Sequence, residues 1–242
     1  MPDSEVDTRT PSRVGVLLIN LGTPDAPDAT SVRRYLAEFL SDPRVVEIPQ
    51  IIWQPILRGA VLTTRPKKSA HAYQQVWMPG GSPLAVYTRE TAEALQQAMG
   101  PDLIVDWAMR YGNPSIASRL QAMTAQGCDR ILLAPLYPQY SGATTATALD
   151  KAFAALADMR LQPAIRTLPP YYADPDYVAA LKASIDGHLA QLDFRPDALL
   201  ASFHGMPERT LKLGDPYYHQ SVETVRLLDA AMDLPVHMSF QS

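Results

Sequence analysis

A chain of 242 residues, 47% of them apolar, can bury a substantial core, which excludes a disordered or fibrous protein. The 21 basic and 25 acidic residues give a formal net charge of -4 and are scattered, so a nucleic-acid partner is not expected. The one cysteine, Cys128, excludes an internal disulfide framework and a cysteine-ligated zinc or iron–sulfur site, and a small buried side chain is expected there. A reducing cytoplasm fits this composition.

The N-terminal residues 1–12, MPDSEVDTRTPS, are polar and acidic, and we expect them to form a disordered leader. They lack the apolar core of a signal peptide. No later run approaches the roughly 18 apolar residues of a membrane span. We therefore expect neither export nor anchoring by these routes.

Short apolar runs alternate with amphipathic segments along the rest of the chain. The runs are VGVLLIN (14–20), LIVDWAM (103–109), RILLAPL (130–136), ALLASF (198–203) and PVHMSF (235–240). Their continuous apolar character predicts strands that are buried on both faces, as in a parallel sheet.

Helices are predicted between these strands. Apolar residues recur at helical spacing behind an Asp28 N-cap, and again before residue 193. The two sets are Val32, Tyr35, Leu36, Phe39 and Leu40, and Val178, Leu181, Ile185, Leu189 and Leu192. The alternation predicts an α/β fold with two doubly wound, mostly parallel, Rossmann-like domains. Prolines concentrated in residues 160–175 suggest a domain change there, and we assign the domains to residues 13–165 and 166–242.

Ligands of open α/β sheets lie outside the carboxyl ends of the strands, so the residues that follow each run are candidate ligand contacts. They are Asn20 to Pro24, Arg110 to Gly112, the segment YPQYSGATT, and His204. Neither a Gly-x-Gly-x-x-Gly sequence nor a Walker sequence is present, which argues against nucleotide binding. Tyrosines and arginines instead suit a flat, aromatic, acid-bearing ligand, because rings stack and guanidinium groups bind carboxylates.

Five segments of the chain match signature segments of one protein family, in the same order. They are LLINLGTPDAP, YQQVWMPGGSPL, YPQYSGATT, SFHGMP followed by GDPYY, and SFQS. On these segments the chain resembles the ferrochelatase family, whose members insert ferrous iron into protoporphyrin to make heme. The resemblance runs from about residue 13 to the last residue. It implies a lyase of heme biosynthesis with chelatase-type domains, which binds porphyrin and ferrous iron as substrates and needs no further cofactor and no iron–sulfur cluster.

The resemblance also implies roles for individual residues. His204 would accept a proton or ligate iron, since a neutral imidazole can do either near physiological pH. The residues that match porphyrin-contacting positions are Leu21, Arg65, Tyr73, Ser82, Arg110, Tyr111 and Tyr137. Arg110 follows a buried strand and needs an anionic partner. For the tyrosines, core packing is an equally good interpretation, and an arbitrary histidine is more often structural.

In the family, the FQS segment is followed by further strands and helices that supply a second acid, a glutamate. This sequence ends at Ser242, so we expect the second domain to be incomplete and that glutamate to have no counterpart. Asp215 and Glu208, beside the His204 loop, are the carboxylates to consider in its place.

Residues 48–68, IPQIIWQPILRGAVLTTRPKK, are apolar on nearly every side of a helix and then basic. Such a helix is usually buried, which is the favoured interpretation. The alternative is a lip over the porphyrin that also touches an anionic membrane surface through residues 51–68. A cytoplasmic protein peripheral to the inner face of the membrane would follow from this alternative.

Two functions other than ferrochelatase are also compatible with the sequence. A non-catalytic tetrapyrrole-binding fragment is motivated by the missing acid. A cobalt or nickel chelatase acting on another tetrapyrrole would share the fold and the histidine. The sequence makes no prediction of the oligomeric state.

Overall fold

The computed structural model describes residues 12–241, so the predicted leader lies outside the described residues except for Ser12. The strands are β1 (Arg13–Thr23), β2 (Leu103–Gly112), β3 (Cys128–Pro135), β4 (Ala164–Thr167), β5 (Leu199–His204) and β6 (Val236–Gln241). The α-helices are α1 (Ala29–Leu40), α2 (Gln50–Ile56), α3 (Leu62–Val76), α4 (Pro83–Met99), α5 (Ile116–Ala125), α6 (Thr147–Ala157), α7 (Pro175–Leu189), α8 (Glu208–Lys212) and α9 (Tyr217–Ala231). Leu57–Val61 and Gly142–Ala146 are π-helical.

The chain forms two compact units. The first extends to residue 136 and includes residues 143–168, and the second comprises residues 137–142 and 169–242. The assignment of domains to residues 13–165 and 166–242 stays a prediction.

The first unit contains a four-stranded parallel sheet in the order β2-β1-β3-β4. Helices cover both of its faces, because successive residues in the middle of β1 pack in cores on opposite sides of the sheet. Leu17 and Ile19 pack with residues of α5 and α6, whereas Leu18 packs with Ala92 of α4. These observations confirm the predicted α/β class with a parallel, doubly wound sheet.

Two strands extend further than the sequence predicted. β1 and β2 remain paired up to Thr23 and Gly112, so residues 20–23 and 110–112 end the strands and do not form loops after them. Gly22 permits this close pairing, since it has a φ of 117° and a Cβ there would lie 1.9 Å from the Tyr111 carbonyl oxygen. Only glycine tolerates both conditions.

The second unit contains the parallel pair β5–β6, with core side chains from α7 and α9 on one face. β5 alternates strictly: Ala201 and Phe203 face this core, whereas Leu200 is 68% exposed and His204 is also exposed. Two strands covered on one face, within the described residues, agree with the predicted incomplete second domain.

Among the described residues, no helix combines the length and the apolar character that crossing a membrane would require.

Candidate active site

His204 is the last residue of β5 and is exposed. It lies opposite Gln241 of β6, and the next residue, Gly205, donates its N–H to the Gln241 carbonyl at 2.7 Å. The His204 backbone also forms a hydrogen bond with the hydroxyl of Tyr217. The backbone is therefore fixed while the imidazole stays accessible.

A cavity of about 290 Å³ begins immediately after His204. Its lining belongs to the second unit and is largely apolar and aromatic. The lining residues are Gly205, Met206, Pro207, Glu208, Thr210, Leu211, Asp215, Tyr217, Tyr218 and Phe240. Pro207 precedes the first turn of α8, so the chain turns directly after the histidine. The turn brings the loop around the cavity.

Aromatic rings form one wall of this cavity. Tyr218 and Phe240 are stacked, with centroids 5.9 Å apart and 24° between their planes. Phe203 lies 6.1 Å from Phe240 on the neighbouring strand. Tyr218 is 41% exposed and Phe240 is 39% exposed, although large aromatic side chains are usually more buried. Exposed ring faces of this kind can stack on a flat aromatic ligand.

The two carboxylates of the cavity are held differently. Asp215 Oδ2 accepts hydrogen bonds from the Ser141 hydroxyl at 3.0 Å and the Gly142 N–H at 2.8 Å. Its Oδ1 accepts from the N–H of Tyr217 at 3.0 Å. The side chain of Glu208 is 75% exposed and forms an ion pair with Lys212 at 2.8 Å. Asp215 is therefore occupied in holding the backbone, whereas Glu208 is accessible.

Residues 137–142, which include the predicted contact Tyr137, are held by α9. The Tyr140 N–H donates to the Gln220 side chain at 2.7 Å, and the Gln139 amide donates to the Thr224 hydroxyl at 2.9 Å. Tyr137 itself is half-buried. The structure thus places Tyr137 in the same unit as His204.

Arg110 and Tyr111 lie in a buried polar cluster of the first unit. Arg110 Nη2 lies 2.5 Å from Asp42 Oδ2, and the Tyr111 hydroxyl donates to the same oxygen at 2.7 Å. The Thr147 hydroxyl also donates to Asp42. The Arg110 guanidinium carbon lies 4.2 Å from the centre of the Tyr111 ring. Asp42 thus supplies the anionic partner that was predicted for Arg110.

Asp42 is ionised in this cluster. Burial alone would raise the pKa of its carboxyl group. Hydrogen bonds from the Thr147 and Tyr111 hydroxyls outweigh burial and hold the pKa below its ordinary value of 3.8, and the Arg110 charge acts in the same direction. Burial raises the pKa of Tyr111, so its hydroxyl keeps its proton.

The other predicted contacts occupy varied positions. Ser82 is 3% exposed and caps α4, because its hydroxyl accepts the Ala85 N–H at 3.2 Å. Tyr73 is half-buried, and its ring lies 6.2 Å from that of Trp77. Leu21 is half-buried near the end of β1, and Arg65 is exposed on α3. Ser82 therefore has a structural partner, while Leu21, Arg65 and Tyr73 keep accessible surface.

The favoured interpretation of residues 48–68 as a buried helix is wrong. Ile51 is 86% exposed and Ile56 is 46% exposed, whereas Leu57 is completely buried. The Trp53 indole N–H donates to the Leu40 carbonyl at 2.6 Å and so anchors α2. The α-helical pattern changes to π-helical at Leu57–Val61, and only one side of the segment packs on the unit.

The segment from Ile51 to Val76 therefore has an exposed apolar part in α2, followed by a basic part in α3. The isoleucines of α2 precede the exposed cations Arg58, Arg65, Lys67 and Lys68. The alternative interpretation, in which residues 51–68 form a lip, stays a prediction.

Comparison with known proteins identified a clear similarity. The family model for ferrochelatase matches residues 13–242. The chain is 54% identical over 237 residues to the ferrochelatase of Rhizobium meliloti strain 1021, covering 95% of this chain and 70% of that protein. It is 57% identical over 220 residues to that of Mesorhizobium japonicum (89% and 62% coverage), and 52% identical over 237 residues to that of Nitrobacter hamburgensis (95% and 69%). The chain thus spans 62% to 70% of the length of these three relatives.

Proposed function

This chain belongs to the ferrochelatase family, and we propose that it inserts ferrous iron into protoporphyrin with His204 at the reacting centre. The family assignment confirms the resemblance drawn from the signature segments, and with it the lyase class. One observation carries this proposal: the exposed His204 ends β5, and a cavity lined by exposed aromatic rings begins at the next residue, Gly205.

Metallation of a porphyrin places two demands on the protein. Two pyrrole N–H protons must be removed, and a partly desolvated metal ion must be delivered to the ring nitrogens. A neutral imidazole, with an ordinary pKa of roughly 6.5, can accept a proton or ligate ferrous iron. His204 supplies that group, while Tyr218 and Phe240 offer ring faces to the macrocycle.

Glu208 is the carboxylate of this chain best suited to act with His204. It lines the cavity that begins at Gly205 and is exposed, whereas the oxygens of Asp215, in the same lining, accept hydrogen bonds from neighbouring residues. An accessible carboxylate can receive a proton from an imidazole and pass it to solvent.

Leu21, Arg65, Tyr73 and Tyr137 are proposed as porphyrin contacts, since each keeps accessible surface. Ser82 and Tyr111 are buried and would hold neighbouring elements of the first unit in place. No organic cofactor is proposed. An iron–sulfur cluster held by this chain alone would need several thiolates, and the chain has one cysteine.

A cytoplasmic location at the inner face of the membrane is proposed, with residues 51–68 touching the surface. The exposed isoleucines of α2 would enter the interface and the cations of α3 would face anionic headgroups. A porphyrin partitions into the same apolar region, so the lip would lie where the substrate is found.

Replacement of His204 by alanine tests the proposed role. We expect iron insertion to fall by about 10²-fold or more, while porphyrin affinity stays within about tenfold, because stacking contacts lie elsewhere. Absorbance at the metalloporphyrin bands measures insertion and fluorescence quenching measures binding. His188→Ala, at an exposed histidine of α7, is the matched control. Full activity of His204→Ala would make His204 a structural residue.

The same assay separates the alternatives. A cobalt or nickel chelatase is not favoured, since the relatives compared above are named ferrochelatases. Faster insertion of cobalt or nickel than of iron would reverse this preference. Tight porphyrin binding without insertion of any metal would instead identify a tetrapyrrole-binding protein.

A further inference from the structure

The anionic partner of Arg110 lies inside this chain. Arg110 binds Asp42 through Nη2 at 2.5 Å, and its Nε donates to the carbonyl and hydroxyl oxygens of Thr147 at 2.9 and 2.7 Å. The side chains of Arg110 and Asp42 are only 12% and 6% exposed. Two of the three guanidinium nitrogens therefore have partners within the first unit.

The third nitrogen faces another carboxylate. Glu38 Oε1 lies 3.8 Å from Arg110 Nη1, and Glu38 Oε2 accepts the N–H of Gly112 at 3.0 Å. A substrate carboxylate brought to Nη1 would meet this negative charge, and like charges at such short distances repel each other. The arrangement disfavours Arg110 as the ligand of an acid-bearing substrate.

The cluster joins parts of the fold that are distant in sequence. Asp42 follows the C-terminus of α1, Arg110 and Tyr111 lie near the end of β2, and Thr147 is the first residue of α6. Thr147 directly follows the π-helical segment Gly142–Ala146, and π-helical segments are frequent at functional sites. The Asp42 carboxylate thus links the end of β2 to the start of α6.

We infer that Arg110 is a positioning residue that acts through Asp42 and Thr147, and that it does not bind a carboxylate of the substrate. The inference rests on the proposed function, and it replaces the expectation that Arg110 contacts porphyrin. Removing either charge leaves the other buried without its partner, which displaces the end of β2 and the start of α6 together.

Two porphyrins distinguish a positioning role from a binding role. Fluorescence quenching measures the affinity for protoporphyrin and for its dimethyl ester. It is applied to the unsubstituted chain and to the variants Arg110→Lys and Asp42→Asn, at temperatures well below their Tm. If positioning is lost, the affinities for both porphyrins fall by the same factor, about fivefold or more. The ratio of the affinity for the diacid to the affinity for the ester then stays unchanged within about twofold. Arg119→Lys and Asp106→Asn, from a half-exposed pair of the same unit, should leave both affinities unchanged.

Three results of this experiment would count against a proposal. A loss of about tenfold or more for the diacid alone would show that Arg110 binds a carboxylate. Unchanged affinities for both porphyrins would limit the pair to fold stability. Either result overturns the inference and leaves the proposed function standing. Failure of the unsubstituted chain to bind either porphyrin would overturn the proposed function itself.

Thermal unfolding tests the coupling independently of any substrate. We expect Arg110→Met and Asp42→Asn each to lower the Tm, and the double variant to lower it by clearly less than the sum. The corresponding variants of Arg119 and Asp106 should be nearly additive, because that pair is 3.4 Å apart and partly exposed. Additive effects at Arg110 and Asp42 would overturn the inference.

Discussion

Two carboxylates of the same cavity illustrate how surroundings decide the role of a residue. Asp215 accepts three hydrogen bonds, from Ser141, Gly142 and Tyr217, so its oxygens are occupied by structural donors. Glu208 is exposed on α8, where an ion pair with Lys212 contributes little stability. Proximity to His204 in the sequence makes both residues candidates, but only Glu208 is available for proton transfer.

Substitution of these two carboxylates should therefore have opposite effects. We expect Glu208→Gln to leave the Tm within about two degrees and to lower iron insertion by about tenfold or more, because it removes an accessible proton acceptor. Asp215→Asn should lower the Tm by several degrees, because an amide nitrogen then faces N–H and O–H donors. Calorimetry and the anaerobic insertion assay measure the two effects. A destabilised Glu208→Gln variant with normal turnover would reverse the assignment.

The Asp42 cluster predicts a pH dependence of stability. The folded-state pKa of Asp42 is lowered, so its stabilising contribution is present above the ordinary value of 3.8 and is lost as the pH falls through the lower, folded value. We expect Asp42→Asn to reduce the acid sensitivity of the Tm below about pH 4. Asp150→Asn, at an exposed carboxylate of α6, serves as the control. Equal acid sensitivity of Asp42→Asn and the unsubstituted chain would show that Asp42 is not the titrating group.

At the scale of elements, α2 shows why a continuous apolar run is ambiguous. Buried helices and exposed binding helices can have the same composition, and the difference lies in which side chains find neighbours. Leu57 and Leu62 find them, whereas Ile51 and Ile52 do not. The sequence pattern alone therefore supported the wrong interpretation.

The lip predicts separate effects on binding and on folding. We expect Ile51→Ser with Ile52→Ser to leave the Tm within a few degrees but to weaken binding to anionic vesicles and to porphyrin, because exposed apolar surface is lost. Leu57→Ala should instead destabilise the fold by about 2–5 kcal/mol, since it removes a fully buried side chain. Vesicle co-sedimentation and thermal unfolding measure these effects. Normal vesicle and porphyrin binding by the double variant would exclude the lip.

Local signals predicted most elements well, and non-local contacts were missed. The Asp28 N-cap is confirmed, because its side chain accepts the N–H groups of Thr30 and Ser31 at 2.8 and 2.9 Å. β4 was missed because it has four residues, mostly exposed, in a proline-rich segment. Asp42 was missed because its partners Arg110 and Thr147 are 68 and 105 residues away, and no local pattern marks such contacts.

At the scale of the whole molecule, the site residues divide between the two units. The first unit contains the predicted residues Leu21, Arg65, Tyr73, Ser82, Arg110 and Tyr111, and Tyr137 lies in the second. The second contains His204 on a pair of strands with one covered face. The position of the histidine could be predicted because an apolar run ended there. The ring pair Tyr218 and Phe240 could not, because ring stacking between α9 and β6 depends on the fold.

Adding the family's remaining segment after residue 242 should therefore affect the second unit most, through its solubility and its insertion rate. The family resemblance places a further acid after the FQS segment, and this chain matches 70% of the Rhizobium meliloti relative. We expect the 242-residue chain, expressed alone, to be poorly soluble, because the open face of β5–β6 exposes Leu200. If an acid in that segment takes part in the reaction, the same chain followed by the family's remaining segment should insert iron about 10²-fold faster or more, because a catalytic group typically contributes that factor.

Both forms are purified and assayed for ferrous insertion under anaerobic conditions, with His204→Ala in the longer form as the inactive reference. Addition of the segment should raise the soluble yield as well as the turnover, because it would cover exposed apolar surface such as Leu200 and supply a further acid. Turnover of the shorter chain at a comparable rate would mean that no acid beyond residue 242 is required. Glu208, the exposed carboxylate of the cavity that begins at Gly205, would then be the second acid, and Glu208→Gln in the shorter chain should lower that activity by about tenfold or more.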